Sequence, residues 1–117
     1  LSIETLRYYE RIGLIPPVHR DQNGYRDYTK QDLRWVYYAK ALRKAEIPVE
    51  TLIEYVKLFQ EGEHTREARK QLLIEEEKKL VIKIQQMQEA LDYLRTKINN
   101  YDGYIKNYEE CLKGEEE

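Results

Sequence analysis

Turn-forming residues are scarce in this sequence. Three prolines and five glycines in 117 residues are too few for the closely spaced turns of a β-sandwich or barrel. A single cysteine excludes an internal disulfide framework and points to a reducing, cytoplasmic compartment. No apolar run approaches the ~18 residues of a transmembrane helix, and no basic segment followed by an apolar stretch marks a signal peptide, so no membrane partner is expected. CxxC, HxxxH and similar ligand spacings are missing, and neither a metal nor another cofactor is expected. Both histidines, His19 and His64, lack a serine or cysteine at motif spacing. The run Glu75-Glu76-Glu77 fans around a helix as a solvated face, and Cys111 follows Glu109-Glu110, the reverse of the electropositive setting a reactive thiol needs. Nothing here builds an enzyme active site.

Charge is abundant, at 36% of the chain, with a formal net value of only −2. That balance hides an asymmetry. Residues 1–46 carry nine Lys/Arg against six Asp/Glu, and the rest carries eleven against sixteen. A basic first part on an acidic body implies an anionic partner for the first part and a different role for the rest. Tyrosine is the dominant aromatic, with 11 copies against one Phe and one Trp.

The chain reads as mainly helical. Ser2 caps a short helix over residues 2–12, with Glu4 in its first turn and Gly13 at its end. Ile3, Leu6 and Tyr9 or Glu10 share one side, while Glu4, Arg7, Tyr8 and Arg11 share the other. Leu14-Ile15-Pro16-Pro17 cannot continue that helix. Asn23-Gly24 signals a hairpin turn, predicting a short two-stranded ribbon in which Tyr25 and Asp27 point one way and Arg26 and Tyr28 the other. Thr29 caps a helix over about 30–45, whose apolar face is read as Leu33, Val36, Tyr37, Ala41 and Leu42. Pro48 opens a further helix at its first position, Glu61-Gly62-Glu63-His64 breaks it, and Thr65 caps the next helix.

From Thr65 to Leu112 there is no proline and one glycine. Leu80, Ile84, Met87, Leu91, Leu94, Ile98, Tyr101, Ile105, Tyr108 and Leu112 step alternately by four and three, a sustained heptad stripe. A continuous helix of that length would run ~70 Å. Its stripe finds no cover within so short a chain, so a homodimer through this C-terminal helix is expected. Gly103 is the place where the helix would fray or turn.

Cations interleaved with tyrosine suit phosphate and groove contacts. Arg7, Tyr8 and Arg11 on the first helix, and Arg20, Tyr25, Arg26 and Tyr28 on the ribbon, are therefore the candidate DNA-binding residues. Two readings stay open from the residues alone. One is a DNA-binding regulator; the other is a coiled-coil adaptor whose basic first part is incidental.

The stretch Thr5-Leu6-Arg7-Tyr8-Tyr9-Glu10-Arg11-Ile12-Gly13-Leu14-Ile15-Pro16-Pro17, followed by Asn23-Gly24-Tyr25-Arg26-Asp27-Tyr28, closely resembles the winged helix-turn-helix head of MerR-family transcription regulators. The order of head, connecting helices and terminal coiled-coil helix resembles that family along the whole chain. Leu58-Phe59-Gln60-Glu61-Gly62, Thr65 and Glu67-Ala68-Arg69-Lys70 look like its subgroup linked to aldehyde and thiol stress. The resemblance implies a winged head over 1–46, a connecting helix over 47–64, an antiparallel dimerising coiled coil over 65–112 through Leu80, Ile84, Met87, Leu91, Leu94, Ile98, Tyr101 and Ile105, and an acidic tail over 113–117. It implies double-stranded promoter DNA and RNA polymerase as partners, with activation by bending and untwisting the promoter. Arg7 and Tyr8 would meet the DNA from the recognition helix, and Arg20, Tyr25, Arg26 and Tyr28 from the wing.

Two departures stand out. Family heads begin with a short helix packed behind the recognition helix; the sequence opens at Leu1-Ser2, so that helix is expected to lie outside it. The stress subgroup carries a cysteine on the helix after the wing, where this chain aligns Ala41. Alanine cannot be alkylated or oxidised, so sensing by thiol chemistry in the head is not expected. Cys111→Ser should leave promoter activity under aldehyde or oxidant challenge unchanged; loss of induction would identify the terminal thiol as the sensor.

Overall fold

A computed structural model describes residues 2–114, apart from the side chains of Tyr104 and Ile105. The expected tail beyond Gly114 lies outside the described residues, as does the side chain of Ile105 in the heptad stripe. The helices are α1 (Ile3–Ile12), α2 (Lys30–Lys44), α3 (Val49–Glu61), a 3-10 turn (Glu63–Thr65), α4 (Arg66–Asn99), a π-helical segment (Tyr101–Ile105) and α5 (Lys106–Lys113). Two compact units result, residues 1–78 and 79–117.

Local chemistry sets the ends of α1. The Ser2 hydroxyl accepts from the Thr5 amide at 3.1 Å. Gly13 takes φ 88° in the left-handed region, and the Leu14 amide reaches back to the Tyr9 carbonyl at 2.9 Å, a Schellman closure that only a residue without Cβ enters freely. The chain then dives inward. Leu14, Ile15 and Val18 join Val36, Ala39, Ile47 and Leu52 in the buried core, with Leu6, Tyr9, Ile12, Tyr28, Trp35 and Leu42 packed against it. Each fully buried aliphatic side chain contributes about 1.5–3 kcal/mol.

The buried face of α2 differs from the expected one. Val36 and Ala39 are buried, whereas Leu33 and Tyr37 are 40% and 70% exposed and Ala41 is exposed. The core lies against Trp35, Val36, Ala39 and Leu42, so the helix is turned away from the Leu33–Tyr37–Ala41 side. Apolar residues occur on both sides of α2, and periodicity does not rank them; the position of α3 does. Ile3 is likewise exposed at 61%.

No strand forms among the described residues; the expected ribbon shrinks to one antiparallel bridge between Arg20 and Arg26. Its turn runs Asp21–Gly24, closed by the Gly24 amide on the Asp21 carbonyl at 3.0 Å. Only Gly24 of the Asn23-Gly24 pair has positive φ. The Asp21 carboxylate takes the amides of Asn23 (2.9 Å) and Tyr25 (3.0 Å), local bonds that compete with a ladder. Further along, the Val18 and His19 amides go to the carboxylates of Glu10 and Asp32 rather than to a strand.

Thr29 and Asp32 form a reciprocal capping box at the start of α2, with Asp32 N to Thr29 Oγ1 at 3.1 Å and Thr29 N to Asp32 Oδ2 at 2.9 Å. Thr29→Ala should lower stability by about 1 kcal/mol, read as a reduced midpoint in urea. An unchanged midpoint would show that the cap adds nothing.

Pro48 is the N-cap of α3, one position earlier than expected. Thr65 does not cap α4 in the expected way. It is buried, and its hydroxyl proton is shared between the carbonyls of Leu58 and Gly62 at 2.7 Å each, while Arg69 Nε donates to its oxygen at 3.0 Å. The hydroxyl serves the end of α3, where carbonyls lack helical partners.

In the second unit the heptad stripe is open. Exposure runs from 40% at Leu91 to 70% at Ile98, with Ile84, Met87, Leu94, Tyr101, Tyr108 and Leu112 between; Leu80 is half-buried. The helix turns in its distal part, where Gly103 leads one to expect it: α4 ends at Asn99 and a π-helical segment containing Gly103 precedes α5. A π turn holds more residues than an α turn, so it rotates the following positions out of the stripe's register. Lys97 lies over the rings of Tyr93 (5.0 Å) and Tyr108 (5.7 Å) across this break.

Candidate nucleic-acid interface

Helix α1 turns Leu6, Tyr9 and Ile12 toward the core. The helical period then leaves Arg7, Tyr8 and Arg11 exposed together. Ser2, Glu4, Thr5, Arg7, Tyr8 and Arg11 line one open depression. The Arg11 guanidinium lies 5.4 Å from the centre of the Tyr8 ring, a cation–π contact that stiffens both side chains. The face presents two cations and a phenol to an anionic surface.

The loop beside it, residues 18–28, is tied down by two carboxylates. Glu10, on the inner side of α1, accepts from the Val18 amide at 2.9 Å and from Arg26 Nε at 2.8 Å, and Arg20 Nη2 approaches it at 3.8 Å. Only 10% of the Glu10 side chain and 29% of Arg26 are exposed. Burial alone would raise the Glu10 pKa. The Arg26 hydrogen bond, the Val18 amide and the charges of Arg26 and Arg20 outweigh it and hold the carboxyl below its ordinary value. Asp32 accepts from the amides of Thr29 and His19; those bonds overcome the burial cost and lower its pKa too.

The expected wing residues therefore divide. Tyr25 is 70% exposed. Arg20 is exposed, and its Nη1 donates to the Gly24 carbonyl at 3.1 Å. Arg26 is committed through Nε to Glu10, and its Nη hydrogens are further donors on a side chain 29% exposed. Tyr28 packs on the core with its hydroxyl buried and without a hydrogen-bond partner among the described residues. That hydroxyl is turned inward, while the residue as a whole is half-buried. The sequence left open whether Tyr9 or Glu10 joins the inner side of α1, and it did not identify Glu10 as the anchor of the loop. An acidic residue there in a basic segment was the available signal.

Among the described residues no group of three or more His, Cys, Asp or Glu could hold a metal ion. No helix among them is long and apolar enough to cross a membrane.

Residues 1–28 match the family model described as MerR family regulatory protein. Over 81 residues the chain is 51% identical to the HTH-type transcriptional regulator AdhR of Bacillus subtilis (strain 168), covering 69% of this chain and 58% of that protein. The chain thus spans little more than half of that relative. A Listeria monocytogenes crystal structure assigned to the MerR family transcriptional regulators is similar over 97% of this chain and 86% of its own, with 49% identity and a TM-score of 0.73. HiNmlR, a MerR family regulator lacking the sensor domain and crystallised bound to promoter DNA, is similar over 87% of this chain and 81% of its own, with 29% identity and a TM-score of 0.66.

Proposed function

The chain belongs to the MerR family of regulatory proteins, and on that premise we propose that it is a dimeric, sequence-specific regulator that binds promoter DNA and acts by bending and untwisting it. The carrying observation is the outward face of Arg7, Tyr8 and Arg11 beside a loop locked to the same helix by Glu10. HiNmlR, similar over most of this chain, was crystallised on promoter DNA. Under this reading Arg7, Tyr8 and Arg11 meet the DNA from α1, and Arg20, Tyr25 and the Nη groups of Arg26 meet its backbone.

The chain divides by role into the winged head (1–46), the connecting helix (47–64), the dimerising helix (65–112) and the tail (113–117). Antiparallel pairing through the open stripe places two heads on one duplex. A change at the junction then rotates one half-site against the other, and RNA polymerase at the promoter is the partner that reads the result. The fold neighbours favour this over the adaptor reading. The relatives are transcriptional regulators, not enzymes.

The test is duplex binding across a salt series. Affinity should fall steeply with salt as counterions are released, and Arg7→Ala should flatten the slope by about one unit. Salt-independent or undetectable duplex binding would overturn the reading in favour of an adaptor.

A further inference from the structure

A second site stands within the first unit, away from the basic face of α1. Trp35, Tyr38, Tyr55 and Phe59, with Gln31 and Arg34, line a cleft between α2 and α3 of ≈ 230 Å³. Trp35 meets Phe59 edge-on at 4.8 Å between ring centres and Tyr38 at 5.8 Å. The rings of Tyr38 and Tyr55 are 5.8 Å apart, with their hydroxyls 3.0 Å apart. The cleft opens to solvent, since Phe59 and Tyr38 remain 42% and 38% exposed.

We propose that this cleft binds a small aromatic carboxylate, its ring against the aromatic walls and its anionic group at the Arg34 rim. Four aromatic side chains converging on one cleft offer edges and faces to a planar ring. The volume lies below the ~300–1,000 Å³ of sites for drug-sized molecules, which limits the ligand to about one ring.

The polar groups choose the charge. In the tyrosine pair one hydroxyl donates to the other, so one O–H is left to donate outward. Burial and the Tyr55 hydrogen bond push the Tyr38 phenol up to about 12, so it keeps its proton at neutral pH. Arg34 gives Nη1 to Gln31 Oε1 at 3.1 Å; its other guanidinium donors and the Gln31 amide hydrogens remain. Arg69 lies 5.2 Å over the Phe59 ring, with its own charge paired to Glu63 at 4.0 Å and its Nε on the Thr65 hydroxyl. The Arg34 and Gln31 N–H groups and one tyrosine O–H remain as donors to a ligand, and the charge on the cleft's own lining is the positive Arg34. A carboxylate satisfies that rim, whereas an ammonium would be repelled.

Trp35 is the sole tryptophan, so its fluorescence reports this cleft without labelling. The experiment titrates the protein with benzoate, benzyl alcohol and benzylammonium. Benzoate should change the emission saturably, benzyl alcohol should bind about tenfold more weakly, and benzylammonium should not saturate. Arg34→Ala, at an exposed position that does not disturb the core, should weaken benzoate about tenfold, the loss of one charge-assisted hydrogen bond. No saturable response to benzoate would overturn the proposal. Equal responses to all three probes, unaffected by Arg34→Ala, would reduce the cleft to a non-specific apolar surface and also overturn it. Emission that depends on protein concentration and ignores benzoate would overturn it too, by showing that a second copy covers the cleft. None of these readouts involves DNA, so the site and the regulatory reading succeed or fail separately.

Discussion

Leu91→Asp should convert the proposed dimer to monomer or aggregate, measured by sedimentation of the full chain. Leu91 sits midway along the stripe and is 40% exposed in the single chain. With Ile84, Met87, Leu94 and Ile98 it makes a run of large apolar side chains at heptad spacing on α4, 40–70% exposed. Such a contiguous surface marks an interface, and in a coiled coil each of these side chains enters a hole between four residues of the facing helix. Two-fold symmetry brings one buried aspartate from each chain. A carboxylate taken from water without a partner costs several kcal/mol even after relaxation, enough to shift association by orders of magnitude. Leu94→Asp should act alike. A well-folded monomer without any substitution, or an unaltered dimer with either one, would refute the interface.

Glu10→Ala is the second. It should lower stability by about 2–3 kcal/mol, because it strips a charged acceptor from both Arg26 and the Val18 amide. Duplex affinity should fall further than stability requires, since the loop loses its tie to α1. Chemical denaturation together with duplex binding under folded conditions separates the two effects. The pH dependence has a definite sign. The folded Glu10 pKa lies below its ordinary 4.5, so the carboxylate's contribution is fully present above that value. It is lost as pH falls through the ordinary carboxylate range and past the lowered folded value. Glu10→Gln keeps the shape without the charge and should remove this part of the acid sensitivity. If Glu10→Ala leaves both stability and duplex affinity unchanged, the loop is held by other contacts.

The ends of helices were legible because they depend on a few adjacent residues. Ser2, Gly13 and the Thr29–Asp32 box act through bonds spanning three to five positions. The stripe from Leu80 to Ile98 was legible for the same reason, since helical period alone aligns it. The buried face of α2 was not legible because leucine and tyrosine lie on both of its sides, and only α3 selects between them. The ribbon is shorter than its turn signal suggests because Asn23-Gly24 carries no information about the Val18 and His19 amides going to carboxylates on other helices.

The sequence by itself determined the helical class, the charge division between the two parts, the caps at Ser2, Gly13 and Thr29, the family motif and the exposed cations of α1. Those properties follow from composition and short-range periodicity. Tertiary structure alone decided that Glu10 anchors the loop, that Tyr28 turns its hydroxyl inward, that Thr65 serves the end of α3, and that Trp35, Tyr38, Tyr55 and Phe59 converge on one cleft. The Glu10, Thr65 and cleft contacts join groups on different elements, from seven to more than twenty positions apart. Periodicity carries no information about such pairs; which of them meet is settled by how the helices pack around Ile15, Leu52 and Val56.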